Sequence, residues 1–346
     1  MGSGVITGRH LIIPAFALLP LVVEPYLGEP HLGEPHLGEP HLGEDRPAMT
    51  RAEDGLEQEL RFEGGEPRTA VSGRFQVHAA GDPGRLARIL SSFETAYRAF
   101  WQSHLDGPRR DTGAAADRLV SVIVFARPES LRRAASRLGI AQPAFEAGGV
   151  FLRESMTIAV VNESALGRVV EAALVHEAAH LLNVEILGPG ISPWFNEGLA
   201  GYCQYSQLTP DGRLLLGELD EGSELRLPQQ DGSEVLYQFV PKKSLSYLMG
   251  QFFRNRRLSL GPMLDADSAE RFYGENAQLH YAASWTLVHM LAQGRTRRDG
   301  ALRPKLDRYA DLEREARGGR AALLGVMEMS ITELDDAWHR HVKRLW

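Results

Sequence analysis

Three apolar stretches in the first part of the chain have the character of β-strands. Gly73 to Ala80 alternates between apolar and polar positions, which is typical of a strand with one buried face. Leu119 to Ala126 is a nearly continuous apolar run, rich in β-branched residues and ended by Pro128, as in a strand buried on both faces. Phe151 to Asn162, centred on Met156 to Val161, predicts a third strand. An ordered domain that begins near Val71 and contains a sheet is therefore expected.

Amphipathic stretches that predict helices lie between these strands. Asp82 is a helix-capping residue, and Pro83 suits the first position of a helix. The apolar residues that follow fall on one helical face and predict a stripe that packs into the core: Leu86, Ile89, Leu90, Phe93, Tyr97, Phe100 and Trp101. Leu131 to Leu138 predicts a second, short helix.

The most apolar of the predicted helices carries one polar patch near its middle. Asn162 or Ser164 can cap it. Apolar residues cover most of its circumference: Val169, Val170, Leu174, Val175, Leu181 and Leu182. A helix enclosed in this way belongs in the centre of a domain. The polar patch near its middle is His176, Glu177 and His180, which does not suit a solvated surface.

The chain beyond residue 187 is predicted to be mainly helical. Thr209 to Gly212 indicates a tight turn between two short strands. Helical patterns follow at Ser244 to Phe253, Ala277 to Leu291, Lys305 to Ala316 and Ile331 to Leu345, and Asp265 to Tyr273 can add a short helix. The whole pattern predicts one α+β domain over residues 71–346. Residues 71–187 are predicted to form a mixed sheet with flanking helices, and residues 188–346 are predicted to form a mainly helical half.

Length and charge narrow the class of protein. A chain of 346 residues with 43% hydrophobic content can bury one or two substantial cores. Its formal net charge of −7, with the charged residues mixed rather than blocked, argues against a nucleic-acid partner. Cys203 is the only cysteine, so the chain can form no internal disulfide. Because Cys203 lies about 240° around a helix from Glu197, it is predicted to be a core residue that faces away from Glu197.

The amino-terminal segment is predicted to have two parts. Residues 1–24 contain the apolar run Leu11 to Val23, which is too short to span a bilayer and typical of a secretion signal. Export to the periplasm, the envelope or the medium is predicted without a stable membrane span, and an uncleaved anchor or a cytoplasmic location stays open. Residues 25–70 begin with a Leu-Gly-Glu-Pro-His repeat. Its prolines prevent a helix and its single leucine per unit cannot build a core, so a disordered spacer is predicted.

Three residues have the types and the spacing of a zinc ligand set. His176 and His180 are one helical turn apart, so their imidazoles project from the same face. Sixteen residues separate His180 from Glu197, where a second helix could begin after the Gly- and Pro-rich break at 188–193. The small residues of this segment would let the second helix approach the first closely: Gly198, Ala200 and Gly201. A catalytic zinc site uses three protein ligands and leaves the fourth position to water.

Glu177 has the position of a proton-transferring group rather than a ligand. It is rotated about 100° from His176 around the helix, which places it beside the metal. A zinc ion lowers the pKa of its water to about 7, and Glu177 could take the water's proton and pass it to a leaving amine.

The two segments resemble a known family. His-Glu-Ala-Ala-His and Pro-Trp-Phe-Asn-Glu-Gly-Leu-Ala-Gly-Tyr are similar to the peptidase MA-like branch of the gluzincin zinc metallopeptidases. The resemblance runs from about Phe75 to about Leu291 and implies a zincin-like fold, one Zn²⁺ per chain and a peptide or protein substrate. By position it implies His176, His180 and Glu197 as ligands and Glu177 as the general base. Thermolysin-type gluzincins carry an acidic residue where this chain has Gly201, so the group that orients a ligand histidine is left open.

The resemblance suggests two further roles. Tyr281 or His280 could donate a hydrogen bond to the oxyanion of the tetrahedral intermediate, the alternative being a tyrosine packed between helices. The strand at 151–162 could border the cleft and pair with an extended substrate, or it could be an ordinary interior strand.

Two functions compete with a peptidase. One is a zinc-containing module that binds peptides or acts as a scaffold without cutting them, which the glycine at position 201 favours. The other is a metal-free helical protein, which would bind no zinc and show no change in stability on chelation. The pattern does not fix cleavage specificity or oligomeric state.

Overall fold

A computed structural model gives the arrangement of most of the chain beyond residue 67. It describes residues 68–79, 82–102, 118–137, 149–152, 156–161, 168–209, 211–219, 223–228, 234–239, 241–254, 258–296 and 300–346. The predictions for residues 1–24, for the repeat and for the capping residues Asn162 and Ser164 lie outside this set.

A five-stranded mixed sheet forms the first half of the fold. Its strands are β1 (Arg68–Ser72), β2 (Phe75–Ala79), β3 (Val120–Phe125), β4 (Gly149–Leu152) and β5 (Thr157–Val161). They lie in the order β1-β2-β3-β5-β4. The pairs β2–β3 and β3–β5 are parallel, whereas the outer pairs β1–β2 and β4–β5 are antiparallel. The predicted mixed sheet with an α+β composition is confirmed at this level.

One strand prediction needs correction, and strand β1 was not predicted. Strand β1 begins at Arg68, before the expected domain start at Val71, and a tight turn with Gly73 at φ 57° pairs it with β2. The single strand predicted at 151–162 is wrong, because β4 and β5 are separate antiparallel strands. Met156, with a left-handed φ of 52°, directly precedes β5. Strand β5 lies inside the sheet between β3 and β4, and β4 is an edge strand.

Helices cover both faces of this sheet. They are α1 (Pro83–Gln102), α2 (Pro128–Arg137) and α3 (Arg168–Leu187). The Asp82 carboxylate accepts a hydrogen bond from the Arg85 backbone N–H at 3.2 Å, which confirms the predicted cap. The predicted stripe of α1 is buried except for the half-buried Phe100. Ile123, Phe125 and Val161 pack on the opposite face, against α2.

Helix α3 lies at the centre of the molecule. Its residues from Leu174 to Asn183 are all buried, as the apolar circumference predicted. It ends at Leu187 because Gly188 adopts φ 94°, a left-handed conformation that glycine takes without strain. The chain then turns back and places the next helix against α3.

The second half is mainly helical, as predicted. Its helices are α4 (Pro193–Gln204), α5 (Pro241–Arg254), α6 (Gly261–Leu264), α7 (Ala269–Phe272), α8 (Ala277–Gln293), α9 (Arg303–Arg314), α10 (Arg320–Met327) and α11 (Ile331–Leu345). Its strands form three two-stranded pairs: β6 (Ser206–Leu208) with β7 (Leu214–Leu219), β8 (Ser223–Pro228) with β9 (Glu234–Phe239), and β10 (Arg295–Thr296) with β11 (Gly300–Ala301). The turn predicted at Thr209 to Gly212 joins β6 and β7.

Helix α4 differs from its prediction in two respects. It begins at Pro193 rather than at Glu197, so Glu197 lies in its second turn. Gly198 and Gly201 do permit a close helix contact, but with α8 rather than with α3. A Cβ atom on Gly198 would lie 2.8 Å from the Ser284 carbonyl oxygen, and one on Gly201 would lie 2.8 Å from Trp285 Cβ. The sequence pattern predicts neither α10 nor the β8–β9 pair.

None of the helices in the described part of the chain combines the length and the apolar character that a membrane crossing requires.

Candidate metal centre

His176 and His180 meet on one face of α3. Their Nε2 atoms are 3.0 Å apart, and the two rings lie edge to face at 75°. Each side chain is only 1% exposed. The helical spacing that predicted a shared face is confirmed, and both rings turn the same nitrogen towards one point.

Glu197 brings a carboxylate to that point from α4. Its Oε2 lies 3.4 Å from His176 Nε2, and its Oε1 lies 3.7 Å from His180 Nε2. One ligand atom from each of the three residues fits within a 4.8 Å cluster. Helices α3 and α4 pack against each other, and the short turn between them sets the distance between the imidazoles and the carboxylate.

The three ligand atoms suit a tetrahedral metal ion. Ligand atoms about 2.1 Å from a zinc ion at the centre of a tetrahedron are about 3.4 Å apart. The separations of 3.0 Å between the two Nε2 atoms and of 3.4 Å between His176 Nε2 and Glu197 Oε2 lie close to this value. Glu197 Oε2 finds no hydrogen-bond partner within the described part of the chain, so a cation would satisfy a buried oxygen. The residues present therefore can hold a divalent ion, and their chemistry alone does not identify it.

The protonation states of the two imidazoles favour metal binding. Burial lowers the pKa of His176 to about 3 and that of His180 to about 4. Both rings are therefore neutral near pH 7, which is the form that coordinates metal ions. Burial raises the pKa of Glu197 to about 6, although the neighbouring His180 and the Tyr273 hydroxyl oppose this rise.

Gln204 orients His176. The Gln204 Oε1 atom lies 3.0 Å from His176 Nδ1 and can accept its N–H, which leaves the Nε2 lone pair for a ligand. Gln204 lies seven residues, or about two turns, after Glu197 on α4. That spacing is a signal for this partner in the sequence, although Gln204 is not among the predicted site residues. An acidic side chain at position 201 could not take this role, because Gly201 faces Trp285 of α8.

Asn183 joins the two ligand-bearing helices. Its Nδ2 donates to the Asn196 Oδ1 atom at 2.9 Å and to the Asn196 carbonyl oxygen at 3.2 Å. Its Oδ1 accepts the Tyr97 hydroxyl hydrogen of α1. Asn196 precedes Glu197 in α4, so these bonds fix the carboxylate relative to α3.

Glu313 caps helix α4 from α9. Both the backbone N–H and the hydroxyl of Ser192 donate to the Glu313 carboxylate, at 2.9 and 2.6 Å. The Tyr309 hydroxyl also donates to it. Ser192 itself does not cap the helix with its side chain. A negative charge at a helix amino terminus is favourable, so Glu313 stabilises the helix that carries Glu197. No local sequence signal links two residues so far apart in the chain.

Glu177 lies beside the three candidate ligands but is not part of the cluster. It is fully buried, and neither carboxylate oxygen has a hydrogen-bond partner within the described residues. Burial, and then the charge of Glu197, raise its pKa well above the usual value. A Cβ atom on Gly149 of β4 would lie 3.1 Å from Glu177 Oε1, so the edge strand runs directly alongside this carboxylate. A carboxyl group that is not a ligand and has a raised pKa suits proton transfer.

Tyr281 and His280 of α8, the two predicted oxyanion donors, have different surroundings. His280 Nδ1 lies 2.8 Å from the Phe272 carbonyl oxygen, so this nitrogen is engaged in a structural bond. The Tyr281 hydroxyl is buried and has no hydrogen-bond partner in the described chain. Burial raises its pKa well above the usual value, with smaller contributions from Glu197, Tyr273 and Glu177. Tyr281 therefore brings a neutral hydroxyl to the border of the site.

Cys203 lies outside the cluster, as predicted. It is fully buried, and burial raises its thiol pKa well above the usual value. It acts as a small core residue.

Comparisons with known proteins do not assign a family. No protein-family model matches the chain, and no curated protein matches it. The functional conclusion therefore rests on the residues and on the geometry of the site.

Proposed function

We propose that the chain is a zinc-dependent peptidase similar to the gluzincins, with a zincin-like catalytic domain. The observation that carries this proposal is the convergence of His176, His180 and Glu197 from two helices. Glu177 lies beside them, outside the ligand cluster and without a hydrogen-bond partner in the described chain. Two neutral imidazoles and one carboxylate are the ligand set of many zinc hydrolases. A bound zinc ion would acidify a water molecule and polarise the carbonyl group of the substrate.

The side chains of the protein would carry the proton transfers. Glu177 would accept a proton from the attacking water and donate it to the leaving amine nitrogen. Tyr281 would donate a hydrogen bond to the carbonyl oxygen as negative charge develops on it. Edge strand β4 passes Glu177 at Gly149, where an extended peptide could pair with its backbone. Such pairing recognises the backbone of a peptide and so favours a peptide or protein substrate. Export of the chain remains a further prediction from residues 1–24.

Burial of the site favours the competing function of a zinc-containing scaffold or peptide-binding module. His176, Glu177, His180 and Glu197 are each exposed by 1% or less, so a substrate needs an opening to reach them. A zinc-containing scaffold or peptide-binding module needs no such opening.

Replacement of Glu177 separates the two functions. Glu177→Gln keeps the size of the side chain but removes its ability to accept and donate a proton. We expect zinc content near one per chain and a fall in turnover of about 100-fold or more on an unfolded protein substrate. Glu218→Gln, at an exposed position of β7, is the matched control and should retain full turnover.

The outcomes are distinct. Chelator-sensitive fragments from the wild-type chain and their loss in Glu177→Gln would support the peptidase. Zinc binding without fragments would support the scaffold module. Full turnover in Glu177→Gln would remove Glu177 from the mechanism.

A further inference from the structure

Tyr273 contacts the candidate metal centre from the segment between α7 and α8. Its hydroxyl donates a hydrogen bond of 2.6 Å to Glu197 Oε1. The side chain is half-buried, unlike the four residues of the site, which are buried completely. The sequence pattern predicts a short helix at 265–273 but assigns Tyr273 no role at the site.

Several contacts hold Tyr273 in place. The preceding Phe272 is fully buried, and its carbonyl oxygen accepts the hydrogen bond from His280 of α8. The Tyr273 ring packs against Phe272, with centroids 5.1 Å apart, and against Tyr281, with centroids 5.9 Å apart. The hydroxyl is therefore presented to Glu197 by a fixed ring.

The two oxygens of Glu197 have different surroundings as a result. Oε1 accepts the Tyr273 hydroxyl hydrogen and lies 3.7 Å from His180 Nε2. Oε2 has no hydrogen-bond partner in the described chain and is only 3.4 Å from His176 Nε2. A carboxylate that used both oxygens would occupy an additional coordination position, whereas one that used Oε2 alone would leave the fourth position for water.

We infer that Tyr273 is a positioning residue that holds Glu197 Oε1 away from the metal, so that Glu197 binds the ion through Oε2 alone. This inference rests on the metal site of the proposed function and adds a residue to it. A hydrogen bond to the second oxygen of a ligand also fixes the rotation of the carboxylate, and loss of such a partner typically costs 10- to 100-fold in metal affinity.

Tyr281 provides a matched comparison for Tyr273. Both tyrosines border the site, and their rings are in contact. The Tyr281 hydroxyl, however, has no hydrogen-bond partner within the described residues and does not bond to Glu197. Tyr273→Phe and Tyr281→Phe therefore each remove one hydroxyl from the same wall of the site, but only the first removes a bond to a ligand.

The test measures metal binding rather than turnover. Zinc affinity is measured for the full chain by competition with a chromophoric chelator, and Co²⁺ is used as a spectroscopic probe of coordination number. We expect Tyr273→Phe to weaken zinc binding by about 10- to 100-fold and to change the Co²⁺ absorption from a four-coordinate towards a five-coordinate spectrum. Tyr281→Phe should keep the wild-type affinity and spectrum. Thermal unfolding without metal shows whether each variant is folded.

Each result decides the inference. An unchanged affinity and spectrum in a folded Tyr273→Phe overturns the role of Tyr273 while the zinc site of the proposed function stands. Equal effects of both substitutions also overturn it, because the loss would then come from packing of the wall. If Tyr273→Phe does not fold, the Co²⁺ spectrum of the wild-type chain decides, since a five-coordinate spectrum contradicts binding through one oxygen. Absence of zinc binding in the wild-type chain would overturn the proposed function as well.

Discussion

Substitution of Gly198 by alanine tests the packing that places Glu197. A Cβ atom at this position would lie 2.7 Å from Val288 Cγ2 and 2.8 Å from the Ser284 carbonyl oxygen, both on α8. Non-bonded carbon atoms pack best at about 3.5 to 4.0 Å. The Ser284 carbonyl belongs to a helix backbone and cannot rotate away, so α4 and α8 must separate.

The expected magnitude combines two opposing effects. Overpacking of a core costs typically about 1 to 3 kcal/mol, and we expect the upper end because the clash involves backbone. Alanine is favoured over glycine inside a helix by about 1 kcal/mol. Gly198→Ala should therefore lower the free energy of unfolding by about 2 kcal/mol. For a domain of about 280 residues, with an unfolding entropy of about 2.1 cal/mol/K per residue, that corresponds to a fall in Tm of about 3 °C.

The matched control is Gly250→Ala in α5. A Cβ atom at Gly250 has no heavy atom within 4 Å, so only the helix-propensity gain remains. Thermal unfolding of both variants with chelator present compares the two positions without any contribution from bound metal. We expect Gly250→Ala to raise the Tm slightly and Gly198→Ala to lower it. A Tm of Gly198→Ala at or above the wild-type value would refute the close packing of α4 on α8.

Two further predictions concern metal affinity and pH. Gln204→Leu should weaken zinc binding by about 10- to 100-fold, because His176 Nδ1 loses its hydrogen-bond acceptor. The control Gln293→Leu loses a bond to the Tyr202 hydroxyl and should keep the wild-type zinc affinity. Chelator competition measures both affinities, and equal values for the two variants would contradict the role of Gln204. His289 and His341 are bonded at 3.0 Å, and burial lowers their pKa values to about 4 and about 3, with the nearby Arg344 also lowering that of His341. Between about pH 6.5 and pH 4 the unfolded chain binds more protons than the folded chain. The free energy of unfolding should therefore decrease as the pH is lowered, by up to about 1.4 kcal/mol per pH unit for each histidine. Urea unfolding of metal-free His341→Gln should show a shallower dependence on pH, and an identical slope would contradict this explanation.

Features that depend on neighbouring residues were predicted well from the sequence. The cap at Asp82, the stripe of α1 and the shared face of His176 and His180 all follow from the period of the helix, which a short stretch of chain fixes by itself. The last helix was predicted with its bounds at Ile331 and Leu345 for the same reason. Helix starts are predicted less accurately. Pro193 and Pro128 indicate breaks in the sequence pattern, but each lies in the first turn of a helix, a position that proline also suits.

Features that depend on distant residues were not predicted. The run at 151–162 has one continuous apolar pattern, and its division into β4 and β5 depends on which strands pair in the sheet. The sequence predicts that Gly198 and Gly201 contact α3, but small residues show only that some close approach occurs and not which helix approaches.

The sequence by itself determined the candidate ligands and their chemistry, because residue type and helical spacing fix which side chains can face one another within a few turns. Only the tertiary structure decided how those ligands are supported. Gln204 against His176, Asn183 between two helices, Glu313 at the start of α4 and Tyr273 on Glu197 are all contacts between separate elements. Such contacts depend on the distances and angles at which helices pack, which many weak interactions across the whole core set together and no local pattern records.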